Sequence, residues 1–149
     1  MLAVDGTAAI SATATQTTVA GDLAVTGSYL MNTEAITATA DGLTTGIISA
    51  GTELATVTCG TADYIATLPS VVAGKHLICV TAGAQATEFR TPASSSETIN
   101  TVDCGGANEL AVATGSVVHF IGVSATGWLA YGWTTAGAAI ATMTPDAQS

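Results

Sequence analysis

Val117-Val118-His119-Phe120-Ile121 and Gly127-Trp128-Leu129-Ala130-Tyr131-Gly132-Trp133 decide how this chain is read. Neither stretch has the three- and four-residue apolar spacing of an amphipathic helix, and both are rich in the β-branched and aromatic residues that suit strands. Side chains alternate across a strand. The first stretch is therefore apolar on both faces, which predicts a central strand. In the second, parity sets Trp128 opposite Leu129, Tyr131 and Trp133. A polar residue at Ile121 is expected to leave an unpaired buried group and to destabilise the fold strongly.

The same pattern recurs on either side. Strands are expected near Leu23–Leu30, Ala35–Ala40, Leu54–Cys59, Tyr64–Leu68, His76–Thr81, Thr87–Thr91, Thr98–Val102, Glu109–Ala113, Val117–Ser124, Gly127–Trp133 and Ala138–Met143. Gly, Pro, Asn, Asp and Ser separate them. Many short strands with close turns predict an all-β fold, an antiparallel β-sandwich or jelly-roll-like domain. The composition divides it. Residues 1–50 hold no Pro, Cys, Trp, Phe, Lys or Arg, and Tyr29 is their single aromatic. Large side chains are too few there to offset the backbone entropy of ordering, about 1–2 kcal/mol per residue. Residues 1–50 are thus expected to form an extended Ala/Thr-rich N-terminal arm with short strands, and residues 51–149 the β-sandwich domain.

Eleven acids face only Lys75 and Arg90, a net charge of −9 at pH 7. A nucleic-acid binder needs several bases to displace counterions from phosphates, and a peripheral protein on anionic lipid needs a basic patch. Neither partner is expected. The start, Met1-Leu2-Ala3-Val4-Asp5-Gly6, has no basic n-region or apolar run, so no leader is expected. The uncharged run from Leu110 to Pro145 is broken by Gly115, Ser116, His119, Gly122, Ser124, Thr126 and Gly127, which argues against a membrane-spanning helix. Only 9% of residues are charged, against roughly 25% in an ordinary domain. A surface of Thr, Ser, Gly and Ala implies that another subunit covers much of it.

Chemistry-bearing patterns are sparse. Cys59, Cys79 and Cys104 are odd in number and widely spaced, which reads as buried free thiols in a reducing compartment, with one disulfide plus one free thiol as the alternative. His76 and Cys79 have metal-ligand spacing, but on a strand they point to opposite faces. Gly122-Val123-Ser124-Ala125-Thr126 lacks the last Gly of a nucleophile elbow, and Gly74-Lys75-His76 lacks the upstream Gly of a phosphate loop. Glu34, Asp41, Glu53 and Asp63 are scattered. Asp103-Cys104-Gly105-Gly106-Ala107-Asn108 reads as a loop, with a cation cradle as its alternative. No catalytic, cofactor-binding or metal residue is assigned, no cofactor is expected, and the chain is not read as an enzyme.

The order of residues carries a resemblance. Tyr64-Ile65-Ala66-Thr67-Leu68-Pro69, Ala73-Gly74-Lys75, Leu77–Val80, Phe89-Arg90-Thr91-Pro92, Glu97-Thr98-Ile99-Asn100, Val117-Val118-His119-Phe120 and Gly127-Trp128 together resemble β-domains of bacteriophage virion structural proteins: capsid decoration (cement), head-fibre and tail-fibre proteins. Those domains often carry Asp-Gly where this chain has Asn100-Thr101. Upstream, Gly21-Asp22-Leu23-Ala24-Val25-Thr26-Gly27-Ser28 is similar to one unit of a phage fibre shaft. The resemblance implies a homotrimeric viral structural protein made in the host cytoplasm and placed on the capsid exterior. As a decoration protein it would bind the major capsid protein and stabilise the shell. A tail, fibre or baseplate component that contacts a host receptor is the alternative. A secreted carbohydrate-binding β-sandwich, with Trp128, Tyr131 and Trp133 stacking on sugars, is the third reading.

Overall fold

The computed structural model describes residues 27–147. The chain divides into Met1–Leu30 and Met31–Ser149, and the account that follows concerns the second unit. Residues 31–50, assigned by composition to the arm, fold with this unit. The expected strand at Leu23–Leu30 lies mostly outside the described residues, and Gly27–Leu30 forms none.

The unit is all-β. Its strands are β1 (Thr33–Thr37), β2 (Leu54–Cys59), β3 (Ile65–Thr67), β4 (His76–Gly83), β5 (Thr87–Arg90), β6 (Thr98–Ile99), β7 (Val102–Asp103), β8 (Asn108–Val112), β9 (Val117–Gly122), β10 (Gly127–Trp133) and β11 (Asp146–Ala147). They form a seven-stranded sheet, β1-β2-β4-β9-β10-β6-β7, and a four-stranded sheet, β11-β8-β5-β3. Both are mixed, which corrects the antiparallel expectation: β1 with β2, β2 with β4, β3 with β5 and β6 with β10 run parallel. Parallel neighbours need a long crossover. Here the crossover is itself a strand of the other sheet. β2 leads to β3, β3 to β4 and β4 to β5, so the chain coils through both sheets. The loop after β1 joins the coil, with Ile47 bridging Thr67 in parallel. From β8 onward the chain reverses, and β8, β9 and β10 close the sheets with antiparallel pairs.

Alternation explains which faces meet. Ala55, Val57 and Cys59 of β2 are buried while Thr56 and Thr58 are exposed. Leu77 and Cys79, Val118 and Phe120, and Trp128 and Ala130 continue that inner face across the seven-stranded sheet. Ala66, Phe89, Leu110 and Val112 answer from the other sheet. Phe89 and Phe120 join the layers at 5.2 Å between ring centroids, and Phe120 meets Trp128 edge-on at 6.4 Å. The strand β9 is central, between β4 and β10. Ile121, however, lies half-buried on its outer face, so the severe position is Phe120.

Asn100-Thr101 makes the tight turn between β6 and β7, with φ of 47° and 75°. Two left-handed residues are what a two-residue hairpin requires. Asn tolerates that region, whereas β-branched Thr is strained there. The Asn100 amide then works as an extra rung of sheet: its Oδ1 accepts from the Ala130 N–H at 2.8 Å, and its Nδ2 donates to the carbonyls of Ala130 and Met143. The expected strand over Ala138–Met143 reduces to a single bridge between Trp133 and Ala139.

Two thermal-denaturation comparisons check this account. Asn100→Asp sets a carboxylate against two carbonyls and should destabilise by about 2 kcal/mol or more, while Thr101→Gly should stabilise by up to about 1 kcal/mol. Phe120→Ala should destabilise by about 3–5 kcal/mol, well beyond Ile121→Thr; equal effects at 120 and 121 would contradict the assigned faces.

Candidate functional site

The patterns singled out in the sequence are dispersed by the fold. His76 is exposed at the start of β4, and Cys79 is buried on the opposite face. Among the described residues no group of three or more His, Cys, Asp or Glu is placed to hold a metal ion. Cys59, Cys79 and Cys104 are buried and free. Burial pushes the Cys79 thiol far up and, outweighing the backbone hydrogen bond at Ile99, raises Cys104 to about 11. Thiolate chemistry is disfavoured at both. Ser124 accepts the Thr126 N–H at 3.2 Å, within the β9–β10 turn. Among the described residues no helix is long and apolar enough to cross a membrane.

Both bases are spent on carbonyls of the chain itself. The Lys75 ammonium donates to the carbonyls of Ala50 and Thr52 and thereby ties the β1–β2 connection to the start of β4. Burial lowers its pKa, against the pull of Glu53. Arg90 donates to the carbonyls of Gly105 and Gly106 at 3.4 and 3.2 Å. Asp103 accepts the Gly105 N–H at 2.9 Å, and its own carbonyl takes the Asn108 amide. The 103–108 segment is thus a self-bonded loop whose inward carbonyls face a guanidinium. Glu34 is equally occupied: burial would raise its pKa, but hydrogen bonds from Thr52 and Ser49 hold it low.

Two features remain: the sequence reading did not find the first, and of the second it named Leu129, Tyr131 and Trp133 but not their clustering with His119. The first is an acidic row on the outer face of the four-stranded sheet. Thr67 pairs with Arg90 and Glu109 with Asp146, and the β5–β8 register continued by one residue sets Arg90 beside Glu109. Glu88 stands two residues from Arg90, on the same face. Burial, then the charges of Glu109, Asp146 and Asp63, push Glu88 up to about 7. Burial also raises Glu109, with Arg90 working in the other direction. Arg90 Nε and Glu109 Oε1 are buried without hydrogen-bond partners.

The second is the outer face of the seven-stranded sheet. Register lays down three rows: His76, Ile121 and Leu129; Leu54, Ile78, His119 and Tyr131; Thr56, Val80, Val117 and Trp133. His119 stacks on Tyr131 at 5.3 Å and meets the edge of Trp133 at 5.6 Å. Tyr131 and Trp133 cross at 5.4 Å, so the three rings form one cluster. Leu129, Tyr131 and Trp133 remain 45%, 37% and 40% exposed. Of the aromatics in the β10 segment, only Trp128 lies in the core. The parity that separated Trp128 from Leu129, Tyr131 and Trp133 is therefore right, and the three outward residues are the ones available to a partner.

Comparison of the chain with family models, with curated proteins and with solved structures finds no match.

The acidic row makes stability depend on pH. In the folded state Glu88 holds its proton to about 7, well above its unfolded value, so the contribution is fully present below the unfolded pKa and is lost as pH rises through the folded one. The melting temperature should fall between about pH 5 and about pH 8. Glu88→Gln should at least halve that slope; a variant as steep as the natural chain would remove Glu88 as its source.

Proposed function

We propose that this protein is a structural component of a bacteriophage particle, a capsid decoration protein seated on the outside of the shell. In this reading it is made in the host cytoplasm, works as a homotrimer, binds the major capsid protein and holds neighbouring shell subunits together. It has no nucleic-acid or membrane partner. The observation that carries the reading is the outer face of the seven-stranded sheet. An exposed sheet face is ordinarily polar, and a contiguous apolar patch marks a surface that meets another molecule. Here Leu129, Tyr131 and Trp133 stand exposed on that face, in a chain whose surplus of acid would otherwise keep subunits apart. With Lys75 and Arg90 both engaged by carbonyls, no basic cluster is left among the described residues to meet phosphate. The Ala/Thr-rich N-terminal segment supports the same reading as a staple that adds to a neighbour's sheet.

Tyr131 and Trp133 also favour a second reading. Two aromatic rings on an open sheet face offer a stacking platform for sugars, as a receptor-contacting fibre domain or a carbohydrate-binding sandwich requires. A glycan-binding screen with the natural chain and with Tyr131→Ala separates this reading from the first: retained sugar binding that is lost in the variant favours it over decoration.

The decoration reading is tested on particles. Quantitative mass spectrometry should find on the order of hundreds of copies per particle, as a symmetric shell demands; on the order of ten would place the protein in the tail. Particles stripped of it should release their contents at a lower temperature, and equal heat resistance would remove the cement role. Deleting residues 2–20 should weaken particle binding, and undiminished binding would mean that this segment is not the staple.

A further inference from the structure

We infer that Tyr29-Leu30-Met31 of one copy of this chain packs into an apolar groove on the next copy, head to tail. The inference rests on the reading of the protein as an assembly component and names the contact that joins its copies.

The groove lies between the loop after β1 and the chain that leaves β3 and β5. Leu43, Ile47 and Ile48 come from the loop, Leu68 and Pro69 follow β3, and Pro92 follows β5. Its volume is about 470 Å³. A cavity of about 150 Å³ holds one benzene-sized group, so this one takes about three side chains. The fold holds it open. Ile47 bridges Thr67, and the Ile48 N–H bonds the Thr67 carbonyl at 2.9 Å. On the other side the Leu68 N–H bonds the Arg90 carbonyl at 2.8 Å. Polar groups at the rim are already engaged: the Thr67 hydroxyl donates to the Gly42 carbonyl, the Ser49 hydroxyl donates to Glu34, and the Ala50 carbonyl accepts from Lys75. Pro69 and Pro92 have no N–H to satisfy. No lining residue is charged. An apolar occupant therefore displaces water at little polar cost, whereas a charged one finds no counter-ion.

The chain itself supplies such an occupant. Tyr29, Leu30 and Met31 are 64%, 84% and 42% exposed. Three large apolar residues in succession on the surface mark a segment that meets another surface. From Leu23 to Thr33 no residue is charged, so the segment brings no carboxylate toward a neighbour that carries −9. The carboxylates beside the groove are held by the fold: Glu34 accepts from Ser49 and Thr52, and Asp41 accepts the Leu43 N–H. Every copy thus carries one exposed apolar segment and one uncharged groove. Segment and groove are different surfaces, so their contact is heterologous, and a ring closes when each Leu30 is seated in the neighbouring groove. A ring of three is the homotrimer of the reading above.

The test uses the full chain. Light scattering coupled to size exclusion, run from about 1 µM to about 100 µM, should show a species of three chains. Leu30→Asp and Leu43→Asp alter exposed side chains, one on the segment and one on the groove wall. Each should lower the mass threefold, to one chain, with an unchanged far-ultraviolet circular dichroism spectrum. Mixing the two variants should restore a two-chain species, because one intact Leu30 and one intact groove remain. Leu129→Asp, at a comparably exposed apolar position on the seven-stranded sheet, should keep the natural mass. A natural chain that stays monomeric, its groove filled by its own segment or by shell protein, overturns the inference. Variants that keep the natural mass overturn it too, as do mixed variants that stay monomeric. A two-chain natural species that both variants split supports the contact and removes the trimer. Monomers that still bind particles overturn this inference alone, and rings that bind no particle support it while removing the decoration reading.

Discussion

A Cβ built on residue 83 would lie 2.1 Å from the carbonyl oxygen of Cys59, and the backbone there has φ of +101°. Only glycine meets both conditions. At this corner β2 and β4, paired in parallel with Cys59 opposite Gly83, leave the seven-stranded sheet together. The N–H groups of Ala84 and Gln85 close on the Cys59 carbonyl as the chain crosses over. One turn of the coil earlier, the Ala38 N–H bonds the Thr58 carbonyl in the same way. Because successive strands turn at one level, β3 and β5 arrive side by side in the second sheet, and Ala66 and Phe89 face the inner side of β2, β4 and β9. The layered core follows from that stacked corner.

Much of this architecture was legible in residue order, and some of it was not. β2 and β10 appear at their expected boundaries because Thr/Val and Trp/Leu alternation is sharp and glycine or a polar turn ends each. The parallel pairings were hidden. A strand of Leu-Ala-Thr-Val-Thr-Cys reads the same whichever way its neighbour runs, and direction is set by a connection that visits the other sheet. Ile121 shows the matching limit of parity: alternation separates residues 118 and 120 from 117, 119 and 121, but Val, Phe and Ile are apolar on both sides. Only the position of the second sheet decides that Phe120 faces inward. The Asn100-Thr101 turn formed without glycine because the Asn amide gains three hydrogen bonds that offset the strained Thr101.

The two surfaces that distinguish the molecule share that origin. Glu88, Glu109 and Asp146 are far apart in the chain, and no local signal joins them. Two strand registers bring them together around Arg90. His119, Tyr131 and Trp133 likewise become a cluster only when β9 pairs with β10. The result sets half-buried, titrating carboxylates on the four-stranded sheet and an aromatic cluster on the seven-stranded one, whose outer face carries Asp103 at its β7 edge.

The placement of the two bases has a consequence for the protein's exposure to digestion. A trypsin-like protease cuts after Lys or Arg, and this sequence offers it Lys75 and Arg90 alone. Arg90 is only 8% exposed at the end of a paired strand, and the Lys75 side chain is bent back onto two carbonyls. Cleavage requires an extended segment lifted clear of the fold, with the basic side chain free to enter the enzyme's pocket. Economy in cations thus leaves the folded unit almost without a foothold for the commonest class of digestive serine protease.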